Sequence, residues 1–333
     1  MKFLRWFSFI IAIVLAVYFL GPSVSQPNLN TNLPQVNSNL VQLEQDIIQS
    51  EKKQNIKTDN EARIVWANDS LKQKTEYCLV YLHGFSASEV EGAPINTEFA
   101  KRYGCNLYLA RLYGHGLITE EPLLDLTAEN YMESAKQAIA IGEQLGKKVI
   151  LMSTSTGGAQ SLYLASEHPE IAALILYSPN VQLYDPTAFI LTKPWGLQIA
   201  RMVLGSKYRE REESDSIKMY WYAKYRIEGI VNMQAMLEAT MKQEVFSKIK
   251  QPVFLGYYFK DEEHQDKTVS VKRMLEMYDQ LGTTENQKRK IAFANAGAHV
   301  IASPLCSHSV NEVKNETFKF AEEILGLKAI PNN

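Results

Sequence analysis

The stretch from Lys147 to Ser161, KKVILMSTSTGGAQS, limits what this chain can fold into more than any other. Val149 to Met152 is an apolar run with β-branched members, long enough for a buried strand and too short for a helix. Ser153, Thr154, Ser155, Thr156, Gly157 and Gly158 follow at once, and a helix-like run from Ala159 to Glu167 comes next. A strand that turns abruptly into a helix around a serine lifts that side chain into a strained, exposed position above a sheet. The usual pattern is Gly-x-Ser-x-Gly, and here Ser153 replaces the first glycine. Strand and helix nearly touch there, and serine is small enough to fit. A polar turn that merely caps the next helix would read the same way, so the decision falls to the rest of the chain.

Strand and helix patterns alternate on both sides of this stretch. Strands are expected at Ala62–Ala67, Glu76–Leu82, Asn106–Ala110, Ile171–Tyr177, Pro252–Tyr258 and Lys290–Asn295. Helices are expected at 95–103, 129–145, 271–281 and 311–325. Such alternation implies a mostly parallel sheet with right-handed crossovers and helices on both faces, an α/β fold. Polar clusters follow the strands: His83-Gly84-Phe85, Gly114-His115-Gly116, Ser155, Ser178-Pro179-Asn180 and Gly297-Ala298-His299. Ligands in these sheets bind at the carboxyl ends of the strands. The alternation lapses between Val181 and Lys248, where aromatic and Met residues crowd, and 181–248 reads as an inserted helical cap. The core is then 61–180 and 249–328.

The amino terminus differs in kind. Lys2 and Arg5 precede an apolar run from Trp6 to Leu20, 15 residues broken only by Ser8. As a helix it would reach ~22 Å, so 1–25 is expected to be a signal anchor or, if cleaved near Ser23-Val24-Ser25, a signal peptide. A transmembrane anchor would attach the chain to the cell membrane with the domain outside the cytoplasm; cleavage would make it exported or periplasmic. Residues 26–60 read as a polar linker followed by an amphipathic helix. A net charge of −2 gives no reason to expect nucleic acid, and the three cysteines have no metal-binding spacing.

A serine hydroxyl needs a base to take its proton, and the base needs a group that fixes its tautomer. Of six histidines, only His299 follows the last strand and a glycine, after the serine and the candidate acids. His83 and His115 lie in glycine turns, His168 ends a helix, His264 sits in a charged loop and His308 begins the last helix. Asp266 is preferred as the acid because Val269, three residues on, would anchor its loop; Asp261 is the alternative. An oxyanion needs two N–H donors, assigned by position to Thr156 and Phe85.

From about Tyr77 to Leu325 the chain resembles the α/β-hydrolase superfamily, in its serine esterase, monoacylglycerol lipase and lysophospholipase branches. The resemblance rests on Leu82-His83-Gly84-Phe85, Gly114-His115-Gly116, the Ser155 turn, Asp266-x-x-Val269 and Gly297-Ala298-His299-Val300, in the family's order. It implies hydrolysis of a small-molecule acyl ester through an acyl-serine intermediate, with no cofactor. A serine peptidase and a non-catalytic ligand-binding homologue share the same fold.

Overall fold

The computed structural model describes residues 2–331. Among these residues nine strands form: β1 (Arg63–Val65), β2 (Thr75–Leu82), β3 (Asn106–Leu109), β4 (Gly146–Thr154), β5 (Ile171–Tyr177), β6 (Tyr208–Glu210), β7 (Lys224–Arg226), β8 (Val253–Tyr257) and β9 (Lys288–Ala292). Seven of them make one sheet in the order β1-β3-β2-β4-β5-β8-β9, antiparallel only between β1 and β3. This is the doubly wound architecture expected from the alternation.

Strand periodicity divides the core into two layers. Cys78, Val80 and Leu82 of β2 face the cluster that holds Tyr131, Leu162 and Met274, whereas Leu79 and Tyr81 face Phe99, Phe254 and Phe320. The helices supplying the first face include α4 (Ala128–Leu145), α5 (Thr156–Ala165) and α10 (Val271–Gln280); α3 (Ile95–Tyr103) and α11 (Val310–Glu323) cover the second. α4 begins where its sequence directs: the Thr127 hydroxyl accepts from Asn130 N–H at 3.2 Å, and the Asn130 side chain accepts from Thr127 N–H at 2.8 Å.

Between β5 and β8 lie α6 (Gly196–Leu204), α7 (Asp215–Tyr220), the antiparallel pair β6–β7 that flanks α7, α8 (Ile227–Thr240) and α9 (Gln243–Phe246). The core joins this helical layer through Tyr222, whose N–H donates to Ser86 O at 2.8 Å and whose hydroxyl takes the Leu117 N–H at 2.6 Å. Residues 26–39 lie along the core. Leu29, Leu33 and Val36 pack on it, Lys136 Nζ donates to Asn30 at 2.8 Å, and Tyr163 Oη donates to Leu29 O at 3.3 Å. The amphipathic α2 (Leu40–Lys52) follows, its Glu51 taking two hydrogen bonds from Arg111 at 2.6 and 2.8 Å.

The expected membrane anchor is corrected. Among the described residues no helix is long and apolar enough to cross a membrane. α1 (Lys2–Phe19) carries Arg5 in its first turn, which leaves 14 residues from Trp6 to Phe19. Such a length gives ~21 Å against a hydrocarbon core of ~30 Å. The end of α1 is instead bonded to protein: Trp195 donates its ring N–H to Val17 O at 3.0 Å and its backbone N–H to Pro22 O at 2.8 Å. Attachment through this segment, and the cell-membrane or exported location inferred from it, are withdrawn.

Candidate active site

Ser155 stands at the carboxyl end of β4, in the middle of the sheet between β2 and β5. Its φ of 54° lies in the left-handed region, which a non-glycine residue occupies only under constraint. The constraints are visible. Ser155 N–H donates to Tyr177 O at 3.0 Å, and Ser155 O accepts from Asn180 N–H at 2.8 Å. A Cβ on Gly157 would lie 2.2 Å from Leu82 O, so the helix can approach β2 only with glycine there. Ser153 is small enough to fit beside the helix, where its hydroxyl takes a hydrogen bond from Ser161 Oγ at 3.0 Å.

Asp266 and His299 meet. Asp266 is buried, its Oδ1 accepting from Thr268 N–H at 2.8 Å and Val269 N–H at 3.1 Å, and its Oδ2 accepting from His299 Nδ1 at 2.5 Å. Burial presses the His299 imidazolium down, but the Asp266 carboxylate and, more weakly, Glu91 outweigh it and hold the ring above the usual histidine value. The other nitrogen, Nε2, is buried without a hydrogen-bond partner among the described residues. Asp261 lies elsewhere. It is exposed at the tip of its loop and pairs with His264 Nδ1 at 2.8 Å.

Ser155, Thr156, Phe85 and His299 line one cavity of about 690 Å³. Ile199, Ala200, Val203, Leu204, Trp221 and Met233 from the 181–248 region give it a largely apolar wall. A second cavity of about 680 Å³ lies beneath α2 and holds none of these residues.

Thr156 is the first residue of α5, so its N–H has no acceptor within the helix. The turn that carries Phe85 is braced by two buried histidines. His83 donates from Nδ1 to Gly84 O at 2.8 Å and accepts Leu112 N–H on Nε2 at 3.0 Å. His115 donates from Nδ1 to Tyr113 O at 2.8 Å and accepts Ser86 N–H on Nε2 at 3.0 Å. Both rings are held neutral, since burial drives His83 down to about 4 and His115 well below its usual value. These two histidines, read from the sequence as members of glycine turns, therefore join the second turn to the first.

One residue of the cavity escaped the sequence reading. Glu91, in the short turn Glu89–Gly92, is buried and accepts Gly84 N–H at 2.6 Å. Its only signal in the sequence is an acidic pair, Glu89 and Glu91, ahead of an apolar helix.

A family model described as Serine aminopeptidase, S33, matches residues 73–295. The chain belongs to that family. This S33-family protein is an α/β-hydrolase, and the solved structures it resembles include lipolytic enzymes and esterases. One solved chain comes from work on the metagenome-derived lipolytic enzymes LipS and LipT. It aligns at a TM-score of 0.65 and 16% identity, covering 80% of this chain and 98% of its own. The Paleococcus ferrophilus monoacylglycerol lipase aligns at 0.56 and 16%, covering 78% and 98%. Est1E from Butyrivibrio proteoclasticus, solved with ferulic acid bound, aligns at 0.52 and 18%, covering 80% and 95%. In sequence, the thermostable monoacylglycerol lipase of Bacillus sp. (strain H-257) is 28% identical over 105 residues. That match spans 32% of this S33-family chain and 41% of the lipase, less than half of the relative's length.

Proposed function

We propose that the protein is a serine hydrolase that cleaves carboxylic esters with an apolar acyl part, through an acyl-serine intermediate. The observation that carries this reading is the state of His299. Asp266 accepts a hydrogen bond from its Nδ1–H, and Nε2 is left without a partner among the described residues, beside the cavity that Ser155 lines. That nitrogen has the lone pair needed to accept a proton from the serine hydroxyl.

The steps follow from the positions. Ser155 Oγ attacks the acyl carbonyl carbon while its proton passes to His299 Nε2, leaving an imidazolium beside the Asp266 carboxylate. The carbonyl oxygen becomes an oxyanion, which Phe85 and Thr156 N–H receive; each such donor is worth roughly 3–4 kcal/mol in the transition state. Collapse breaks the bond to the alcohol oxygen, which takes the proton from His299, and the acyl group stays on Ser155. Water then attacks this acyl-serine, again giving its proton to His299, and the acid leaves as Ser155 regains its hydrogen. The apolar wall of Ile199, Val203, Leu204 and Met233 supports an apolar acyl group as the cargo.

A second reading, aminopeptidase activity, is favoured by the description of the family itself. Purified protein should be assayed with p-nitrophenyl esters of rising chain length and with aminoacyl-naphthylamides, alongside labelling by a fluorophosphonate probe. The ester reading expects ester turnover to dominate and Ser155→Ala to abolish both turnover and labelling. Faster naphthylamide cleavage would select the peptidase. No labelling and no turnover of either substrate would leave a ligand-binding homologue.

A further inference from the structure

Glu91 and Glu89 are buried two residues apart and are treated differently by the fold. Glu89 pairs with Arg63 of β1 at 2.5 Å. Glu91 has no Lys or Arg partner among the described residues, and it lines the cavity that holds Ser155 and His299. A buried acid without a counter-ion is costly, by several kcal/mol if it ionises. Burial pushes its carboxyl up to about 7, and the Gly84 N–H and then the nearby His299 pull it back down.

Its position is fixed on both sides. On one, Gly92 lies so close to Tyr81 that a Cβ there would sit 2.2 Å from the ring, which pins the chain after Glu91. On the other, a Cβ on Gly84 would fall 2.9 Å from the Ser155 Cβ and 3.0 and 3.1 Å from the two carboxyl oxygens. Glu91 therefore presses on the one residue that separates it from the serine. The Gly84 N–H, one position before the candidate donor Phe85, is given to Glu91 at 2.6 Å and is not free for a substrate.

We propose that Glu91 is a positioning residue of the active site: its carboxyl fixes the His83–Gly84 peptide and, together with His83 Nδ1 on Gly84 O, aims the Phe85 N–H of the following peptide at the oxyanion. This assignment rests on the serine hydrolase reading above. It differs from the part of Asp266, which orients the base, because Glu91 acts on the electrophilic side. Only an acceptor oxygen at this spot is required, so glutamine can replace it and a side chain without an acceptor cannot.

The test compares Glu91→Ala, Glu91→Gln and Glu91→Met with the wild type on p-nitrophenyl butyrate. Loss of one aimed donor is expected to lower kcat by roughly 10- to 100-fold in the Ala and Met variants, with KM within about threefold. The Gln variant should recover to within about fivefold of wild type. The rate of Ser155 labelling by the fluorophosphonate should follow the same order, since the phosphoryl oxygen uses the same donors. The Met variant keeps the volume, so the comparison holds if the Ala variant does not fold. Unchanged kcat in both Ala and Met variants, an effect on KM alone, or equal losses with Gln and Met would each overturn the assignment. Wild type that neither turns over ester nor reacts with the probe would defeat the hydrolase reading and this assignment with it. Active wild type with an unaltered Met variant defeats the assignment alone.

Discussion

Replacing Asp266 by asparagine separates orientation of the base from packing. The carboxylate accepts three hydrogen bonds, two from Thr268 and Val269 N–H on one oxygen and one from His299 Nδ1 on the other. An amide has one oxygen. If that oxygen keeps the two backbone donors, the NH2 group faces His299 and donor meets donor. The ring escapes by moving its proton to Nε2, the nitrogen that must be empty to receive one from Ser155. Loss of the correct tautomer and of the imidazolium's counter-charge should lower kcat about 10⁴-fold, or about 5 kcal/mol at roughly 1.4 kcal/mol per tenfold. The two backbone bonds survive, so Tm should fall by less than about 5 °C. Initial rates on p-nitrophenyl butyrate and a thermal melt measure both quantities. Asp261→Asn is the control, because that side chain is exposed and bonded to His264, and its rate should stay within about twofold of wild type. Activity of Asp266→Asn within tenfold of wild type, or an equal loss in Asp261→Asn, would refute the reasoning.

Two further outcomes are expected. His83 is neutral in the folded protein down to about pH 4, whereas the unfolded chain takes up that proton near pH 6.5, so its share of stability is lost as pH falls between those values. At about 1.4 kcal/mol per unit the share is roughly 3 kcal/mol. Urea unfolding near pH 7 and pH 4.5 should therefore show a smaller acid-induced loss for His83→Asn than for wild type, and identical losses would refute it. Gly157→Ala puts a methyl group 2.2 Å from Leu82 O and 2.7 Å from His83 O, both backbone atoms. It should cost roughly 3 kcal/mol or more in urea unfolding, and a change under about 1 kcal/mol would mean that α5 and β2 separate more easily than this packing implies.

The sheet was legible because each buried strand is an apolar run bounded by turn residues, and Ile171–Tyr177 forms with the expected ends. The serine turn was legible because small residues there are dictated by close contact, as Gly157 against Leu82 now makes concrete. The choice between Asp261 and Asp266 was harder, since both follow β8. Folding separates them by a bridge between Phe259 and Gln265 that throws residues 260–264 into solvent and returns Asp266 to the core. Such a bridge has no strong local signature. Glu91 was hidden by a sound general rule, that acids lie outside, which tertiary packing of Gly92 on Tyr81 overrides. Residues 26–39 looked solvated by composition, yet Leu29, Leu33 and Val36 find a surface that only the folded core provides. At the amino terminus, apolar character was read as span, where the length free of charge falls short.

The grip of Trp195 on Val17 and Pro22 has a mechanical consequence. Trp195 belongs to the layer over the serine, and the first core attachment downstream of Pro22 is Asn28 N–H on Glu129 at 3.1 Å. Six residues at full stretch reach about 20 Å, so the leading arm is a short leash between roof and floor. Any gape wide enough to tauten it must first break the backbone bond from Trp195 to Pro22.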